Sequence, residues 1–405
     1  MSHTLAASRL GRWGTAVAIA TVGTLACATA ANATIYRPTT SAAFRQAVLD
    51  ANANPGYDKI ILPTQFVSPS TNLTISDDLL ITGDHALEAP GQGPAIDGSS
   101  VDVRAANFIT VQPGVRLQLA GINVQAASTF GFSTIENLGH LRLDNSSIVS
   151  NDGRPINAPS GTNSSVAITN SLISDNFPQG PAVYTFAPLT VLNSTITDNG
   201  QGGIEARNTW VMHNTILTGN SGDCFGTINE ESANWDSDGS CGNAATGTLS
   251  YDFIDFYGGP TAAKPPSVGS PTIDAGDNAF CTSTDQRFYV RPVGQCDIGA
   301  IERNAAKDTT PPDCSVTAVR RGPDQQDVTV SDGQGGLGYD GVWSEEITIT
   351  NGTVANAFGL PASGSPPTPT RPGTRVMTAS KSDQTQKTRW SFTLRDWAGN
   401  VRTCS

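Results

Sequence analysis

Two aspartates carry the sharpest hint of chemistry in this chain. Asp175 and Asp198 each stand five residues beyond an asparagine that opens the same seven-residue phrase, NSLISDN at Asn170–Asn176 and NSTITDN at Asn193–Asn199. If the two phrases stack as neighbouring strands, their carboxylates lie about 5 Å apart. Carboxylates that close repel one another unless a proton or cation intervenes. Such a pair can share Ca2+ or act as acid and nucleophile at a glycosidic bond. The competing reading is a turn, in which Asp bonds its own backbone. Ser150 and Gly219 occupy the same column on either side, which favours the turn. Asp152 and Asp223 lie nearby in sequence and would enlarge an acidic patch.

The elements that position this pair are repeats. NSSIVSN at Asn145–Asn151 and NTILTGN at Asn214–Asn220 complete a set of four phrases, whose first asparagines are 25, 23 and 21 residues apart. A short apolar core recurring at that interval between polar turns marks a solenoid of stacked coils. Gly121 precedes Asn145 by 24 residues and takes the same place one coil earlier. At about 23 residues per coil, residues 58–250 make roughly eight coils. Ile148, Ile173, Ile196 and Leu217 (or Ile216, if that coil slips by one) should pile into an interior column. Asn145, Asn170, Asn193 and Asn214 are expected at turns with φ > 0, their amides bonded into a ladder.

The remainder frames this solenoid. Ser41–Asn54 places Phe44, Ala47, Val48 and Ala51 on one helical face, and such a helix would plug the open end of a coil stack. After the solenoid, KDTTPP at Lys307–Pro312 reads as a linker, within residues 305–313. Residues 314–405 alternate strand patterns (SVTAV, DVTVS, EITIT, TRVMTAS, RWSFTLRD) with turns, as a small Ig-like β-sandwich does. The fold expected is all-β: a parallel β-helix with an N-terminal helical cap over residues 34–304, then the sandwich.

Residues 1–33 read as a secretory leader: Arg9 and Arg12, an apolar run Thr15–Ala26, and Ala31-Asn32-Ala33 before a cleavage at Ala33–Thr34. Cys27 lacks the upstream aliphatic residue of a lipoprotein signal. Six cysteines follow the leader, Cys224, Cys241, Cys281, Cys296, Cys314 and Cys404. Of their fifteen pairings, neighbours in sequence are favoured. The two short loops would each contribute about 3 kcal/mol and the long one about 4.7. Without the leader the chain has 22 lysines and arginines against 36 acids, net −14. That surface repels phosphate backbones, so nucleic acid is excluded as a partner. No later apolar run is long enough to span a bilayer.

Other chemistry finds little footing. Arg142, Arg154, Arg207, His140 and His213 lie in the coil region, yet no RxPxxR, paired Asp-Asp or Gly-His-Gly surrounds them. Residues 333–338 match GxGxxG without a following helix. Residues 335–343 match one calcium-binding nonapeptide, where a β-roll needs consecutive copies. HExxH, GxSxG, P-loop and CxxC motifs are absent from the sequence.

YDFIDFYGGPT, GSPTIDAGD, TDQR and RPVGQCDIGAIE, between residues 251 and 302, resemble the C-terminal segment of bacterial choice-of-anchor Q proteins. SAAFRQAVLDANANPGYDKIILP resembles the CSLREA-type segment that opens many of them. The Cys of CSLREA is missing here, and Ile301 replaces a usual Phe. The D-x-AGN string at 396–400, with its terminal cysteines, resembles bacterial Ig-like modules of secreted proteins. These resemblances imply a right-handed parallel β-helix of the pectate-lyase-like superfold, secreted or surface-attached, and no particular reaction; release to the medium or periplasm is the expectation. Two functions follow as expectations. One is a monomeric, non-catalytic scaffold that binds an extracellular polysaccharide or cell-surface component, needing no cofactor although Ca2+ is compatible with it. The other is a polysaccharide lyase or glycosidase using one outer face, which converging carboxylates would favour.

Overall fold

The structure, a computed structural model, describes residues 34–405 apart from 64, 85–92, 101–105, 130, 293, 319–324, 332–341, 356–373, 382–384, 386–388 and 397–399. The leader with Cys27, the glycine-rich match at 333–338, and all but the last two residues of the match at 335–343 lie outside the described residues, as does most of the 396–400 string.

From Asp58 the chain winds through three parallel sheets in strict rotation. The first coil runs Asp58–Leu62, Phe66–Val67, Leu73–Ile75, and the seventh runs Trp210–His213, Ile216–Thr218, Cys224–Phe225. Sheets 1 and 2 each hold nine strands and sheet 3 holds seven, so seven coils are complete and an eighth begins. This is a parallel β-solenoid.

Every sheet sends at least one column of side chains inward. In sheet 2 it is Ile96, Val124, Ile148, Ile173, Ile196 and Leu217, paired in register and each 0 % exposed. Leu217, not Ile216, takes the inner place in the seventh coil. Sheet 3 contributes Leu73, Ile109, Ile135, Ile156, Val183 and Ile204. Each such aliphatic side chain removed from water contributes about 1.5–3 kcal/mol, and branched side chains suit a pleated surface. Helix Ser41–Ala53 is capped by Thr40, whose hydroxyl accepts from Ala43 N–H. Its Phe44, Ala47, Val48 and Ala51 join the same continuous core as Ile60 and Leu73 of the first coil.

Asn145, Asn170, Asn193 and Asn214 turn the chain from sheet 1 to sheet 2 with φ of 45–50°. Gly121 does so one coil earlier at φ 63°. The amide ladder, however, runs through the asparagines that end each phrase. Asn151 donates to Asn176 at 2.9 Å, Asn176 to Asn199 at 2.9 Å, and Asn199 to Asn220 at 3.1 Å. The reason is direction. A left-handed residue at the first corner turns its side chain outward, whereas the closing asparagines are buried in the turn toward sheet 3. Among the first asparagines only Asn214 reaches its neighbour Asn193, at 3.3 Å.

What the outward asparagines bind is the chain's own return segment, residues 251–302. Asn145 donates to Asp285 O, Asn170 to Thr284 O, Asn193 to Phe280 O and Asn214 to Asp277 O. The segment thus runs along the corner between sheets 1 and 2 and covers the outer face of sheet 2, where Leu172 and Ile216 are fully buried. Disulfides join Cys224–Cys241, Cys281–Cys296 and Cys314–Cys404. Ala306–Lys307, inside the expected linker, pairs antiparallel with Tyr289–Val290. Beyond it lie one four-stranded and one three-stranded antiparallel sheet, and Cys314–Cys404 ties the first to the second.

Candidate functional site

The motif residues of the return segment build a buried polar network. Asp285 accepts from Arg287 Nη2 at 2.6 Å and from the Glu302 backbone at 3.1 Å. Gln286 donates to Ala262 O and Thr261 Oγ1. Arg291 donates to Glu302 at 2.9 Å and to the Gly299 carbonyl at 2.9 Å. Burial raises the Glu302 carboxyl above its ordinary value, an effect the facing Arg291 opposes. Asp274, Asp297 and Glu302 bring carboxylate oxygens within 4.8 Å of one another. Protein donors occupy the two buried ones: Asp297 accepts Asp274 N–H and Arg303 N–H, and Glu302 accepts Asp297 N–H and Arg291, while Asp274 is exposed. The arrangement serves docking of the segment.

Asp175 and Asp198 are brought together as their spacing predicts. Both are left-handed, φ 56°, in a column with Ser150 (φ 57°) and Gly219 (φ 68°), so the turn requirement is real. Each also accepts from the hydroxyl before it, Ser174 at 2.6 Å and Thr197 at 3.0 Å. A cation stands between them, supplied by the chain: Lys264 Nζ pairs with Asp198 and lies 3.8 Å from Asp175. Tyr251, whose hydroxyl burial pushes well upward with Asp198 and Asp223 adding to it, lies beside this lysine. Lys264 is 66 residues from Asp198 in sequence, and no pattern in AAKPP signals the pairing. Lys264→Met is therefore expected to cost about 1 kcal/mol and to create a calcium response, Ca2+ raising the variant's melting temperature. Wild type should show no shift. A wild-type calcium shift abolished by Asp175→Asn/Asp198→Asn would contradict the lysine's role.

The remaining candidates scatter. Arg142 pairs with Asp144 on the outer side of sheet 1. His140 Nδ1 meets Ser165 Oγ at 2.9 Å, and burial, then Arg116, lowers its basicity. His213 is 2 % exposed and stacks on Phe280 at 3.5 Å; burial lowers its pKa as well.

Arg154 and Arg207 belong to a surface that the motifs did not flag, the outer face of sheet 3. Its outward column is Thr74, Thr110, Glu136, Asn157, Tyr184, Glu205 and Phe225, one residue per coil. These are half-buried or exposed, whereas the neighbouring inward positions are buried. Asn157 donates to Glu136 at 2.7 Å, Arg154 donates to Asn157 at 3.1 Å, and the Arg154 guanidinium lies 4.7 Å from the Tyr184 ring centre. Tyr184 meets Phe186 edge to face at 5.4 Å, and Arg207 pairs with Glu205. Exposed phenylalanines lie in or near the column: Phe225 belongs to it, Phe132 and Phe186 adjoin sheet 3 strands, and Phe177 lies in the turn that leads to one. The signal was present in sequence as the alternation T-I-E-N, I-N-A, V-Y-T, I-E-A, but its side-chain types match no catalytic motif.

No family model, curated protein or solved structure matches the chain.

Proposed function

We propose that this protein is an exported, non-catalytic β-solenoid scaffold that binds extracellular carbohydrate through the outer face of sheet 3. The observation that carries this reading is the contrast between faces. The return segment covers sheet 2 and its corner with sheet 1, while sheet 3 keeps aromatic rings in solvent among carboxylate, amide and guanidinium groups. Exposed rings beside polar groups suit sugars, which offer apolar C–H faces and hydroxyl edges. The helix Ser41–Ala53 serves as a plug for the first coil, and the two C-terminal sheets form an Ig-like module acting as spacer or second binding unit.

Cleavage is the less supported reading. Glu136 and Glu205 share a column but stand three strands apart, or about 14 Å at the usual strand spacing. Glycosidase pairs span about 5–9.5 Å. Lys264 already neutralises the closer pair, Asp175 and Asp198. A carbohydrate array probed with the mature protein, alongside assays for reducing-end release and for unsaturated products, tests both readings. Array binding without products is expected, and products from any polymer would overturn the non-catalytic assignment.

Export implies a definite covalent state. Intact-mass measurement should show a chain beginning at Thr34 and a gain of about 6 Da on reduction, two hydrogens for each of three disulfides. Among the described residues no helix is long and apolar enough to cross a membrane, and the protein is expected in culture medium or periplasm. A retained leader or six free thiols would refute this.

A further inference from the structure

We infer that the ligand of the sheet 3 face is an uncharged, extended polysaccharide lying along the coil-stacking axis, stacked on Phe177 and Phe225 and hydrogen-bonded by Arg154, Asn157 and Glu136. This rests on the proposed carbohydrate-binding function and adds its ligand class, its direction and its anchors. The direction follows from register. The outward column presents one side chain per coil over seven coils, at a rise of about 4.8 Å, close to the length of one pyranose ring. A linear polymer along the axis therefore meets a new group at each sugar, whereas a chain lying across the sheet meets only one strand's short run.

The anchors follow from exposure and from the glycines beneath them. Phe177 is 67 % exposed and Phe225 41 %. A Cβ at Gly200 would sit 3.7 Å from the Phe177 ring, and one at Gly222 only 2.5 Å from the Phe225 ring. The Phe225 ring thus passes close to the Gly222 backbone, which carries no side chain, while Phe177 stands largely in solvent beside Gly200. Arg154 is placed the same way, its Nη2 2.7 Å from where a Gly180 Cβ would stand. Asn157 and Tyr184 hold the guanidinium in place on this face, and the residue stays half-exposed beside the column.

The absence of charge on the ligand follows from balance. Glu136 and Glu205 stand in the column against Arg154 and Arg207, and Arg207 is already paired with Glu205. The chain as a whole carries an acidic excess, which repels uronate and sulfate polymers. Two carboxylates accept from sugar hydroxyls, and the arginine donates to them.

Affinity electrophoresis of the mature protein tests this, with xylan and mixed-linkage β-glucan as neutral probes and polygalacturonate and alginate as acidic ones. The expected result is retardation by a neutral polymer that persists in 0.5 M NaCl. It should fall at least tenfold in Phe177→Ala/Phe225→Ala and in Arg154→Gln. Phe177→Ala alone, at so exposed a site, keeps the test available should the double variant misfold. Salt-sensitive binding of acidic polymers only would overturn the inference and leave the carbohydrate-binding function standing. Neutral binding indifferent to the phenylalanines would place the ligand on another face and likewise overturn it. No binding to any polysaccharide, on the array or in the gel, would sink both.

Discussion

Ile196→Asp, and separately Ile173→Asp, should leave no folded solenoid. Both side chains are 0 % exposed in the inner column of sheet 2, and each pairs in register with the coil above and below. An aspartate there forfeits about 1.5–3 kcal/mol of apolar burial. It also buries a carboxyl group among Ile148, Leu217 and their neighbours, with no donor facing it, at a further cost of several kcal/mol. The sum approaches the whole stability of an ordinary domain, about 5–15 kcal/mol. Nearest-neighbour stacking spreads the damage, since a coil that cannot close withdraws an interface from two others. Far-UV circular dichroism and the soluble yield of the oxidised protein measure the effect. Thr195→Asp is the control: Thr195 lies next in sequence and is buried too, but it points outward, where the Ala300 N–H bonded to its hydroxyl can face the new carboxylate, and it should be the milder change. Isoleucine variants that melt like wild type would show that this column is not interior.

Why the inner column was readable while the site was not is a matter of range. A coil repeats its demands every 21–25 residues, so Ile148, Ile173 and Ile196 announce one another. The helical face of Phe44, Ala47, Val48 and Ala51 is local in the same sense, as is the left-handed turn of Asn145 and its counterparts. Asp175 and Asp198 follow from the same alignment. Lys264 does not, because a residue of the return segment reaches them through tertiary docking alone. The two asparagine columns show the limit clearly. Both recur with the same period, and spacing cannot say which of two polar positions faces inward. The repeat points to the first asparagine for the ladder that the closing one makes. The outer face of sheet 3 was missed for another reason. Tyr184, Glu205 and the neighbours Arg154 and Asn157 come from three different coils and match no reaction's signature; a binding surface needs only adjacency, which stacking supplies.

The second large effect is expected at Arg291. Its side chain is 1 % exposed and pairs with Glu302, itself 2 % exposed. It also donates to the Gly299, Ala300 and Thr284 carbonyls of the return segment and to Asn170 Oδ1 of the fifth coil. One guanidinium thus joins two strings of the segment, TDQR and RPVGQCDIGAIE, to the solenoid. Arg291→Met keeps most of the volume but strands the Glu302 carboxylate in a dry site, which typically costs about 3–5 kcal/mol. Loss should concentrate in the segment, because the coils beneath hold their own backbone ladders. Amide exchange should therefore quicken across residues 251–302 while strands such as Leu189–Leu192 stay protected.

The pH dependence distinguishes a stranded charge from lost packing. Burial already raises the Glu302 pKa with Arg291 present, and removing the arginine raises it further. A carboxyl whose folded pKa exceeds its unfolded value of about 4.3 binds its proton more readily when folded. Its contribution is then greatest below that unfolded value and is lost as pH climbs through the folded one. The deficit of Arg291→Met against wild type should accordingly be small near pH 4 and grow toward pH 7. Adding Glu302→Gln should flatten that trend and restore part of the stability at pH 7, since no charge is left unpaired. A deficit equal at both pH values would mean that shape, not charge, is what Arg291 supplies. Unchanged exchange in residues 251–302 would mean that the segment is held without it.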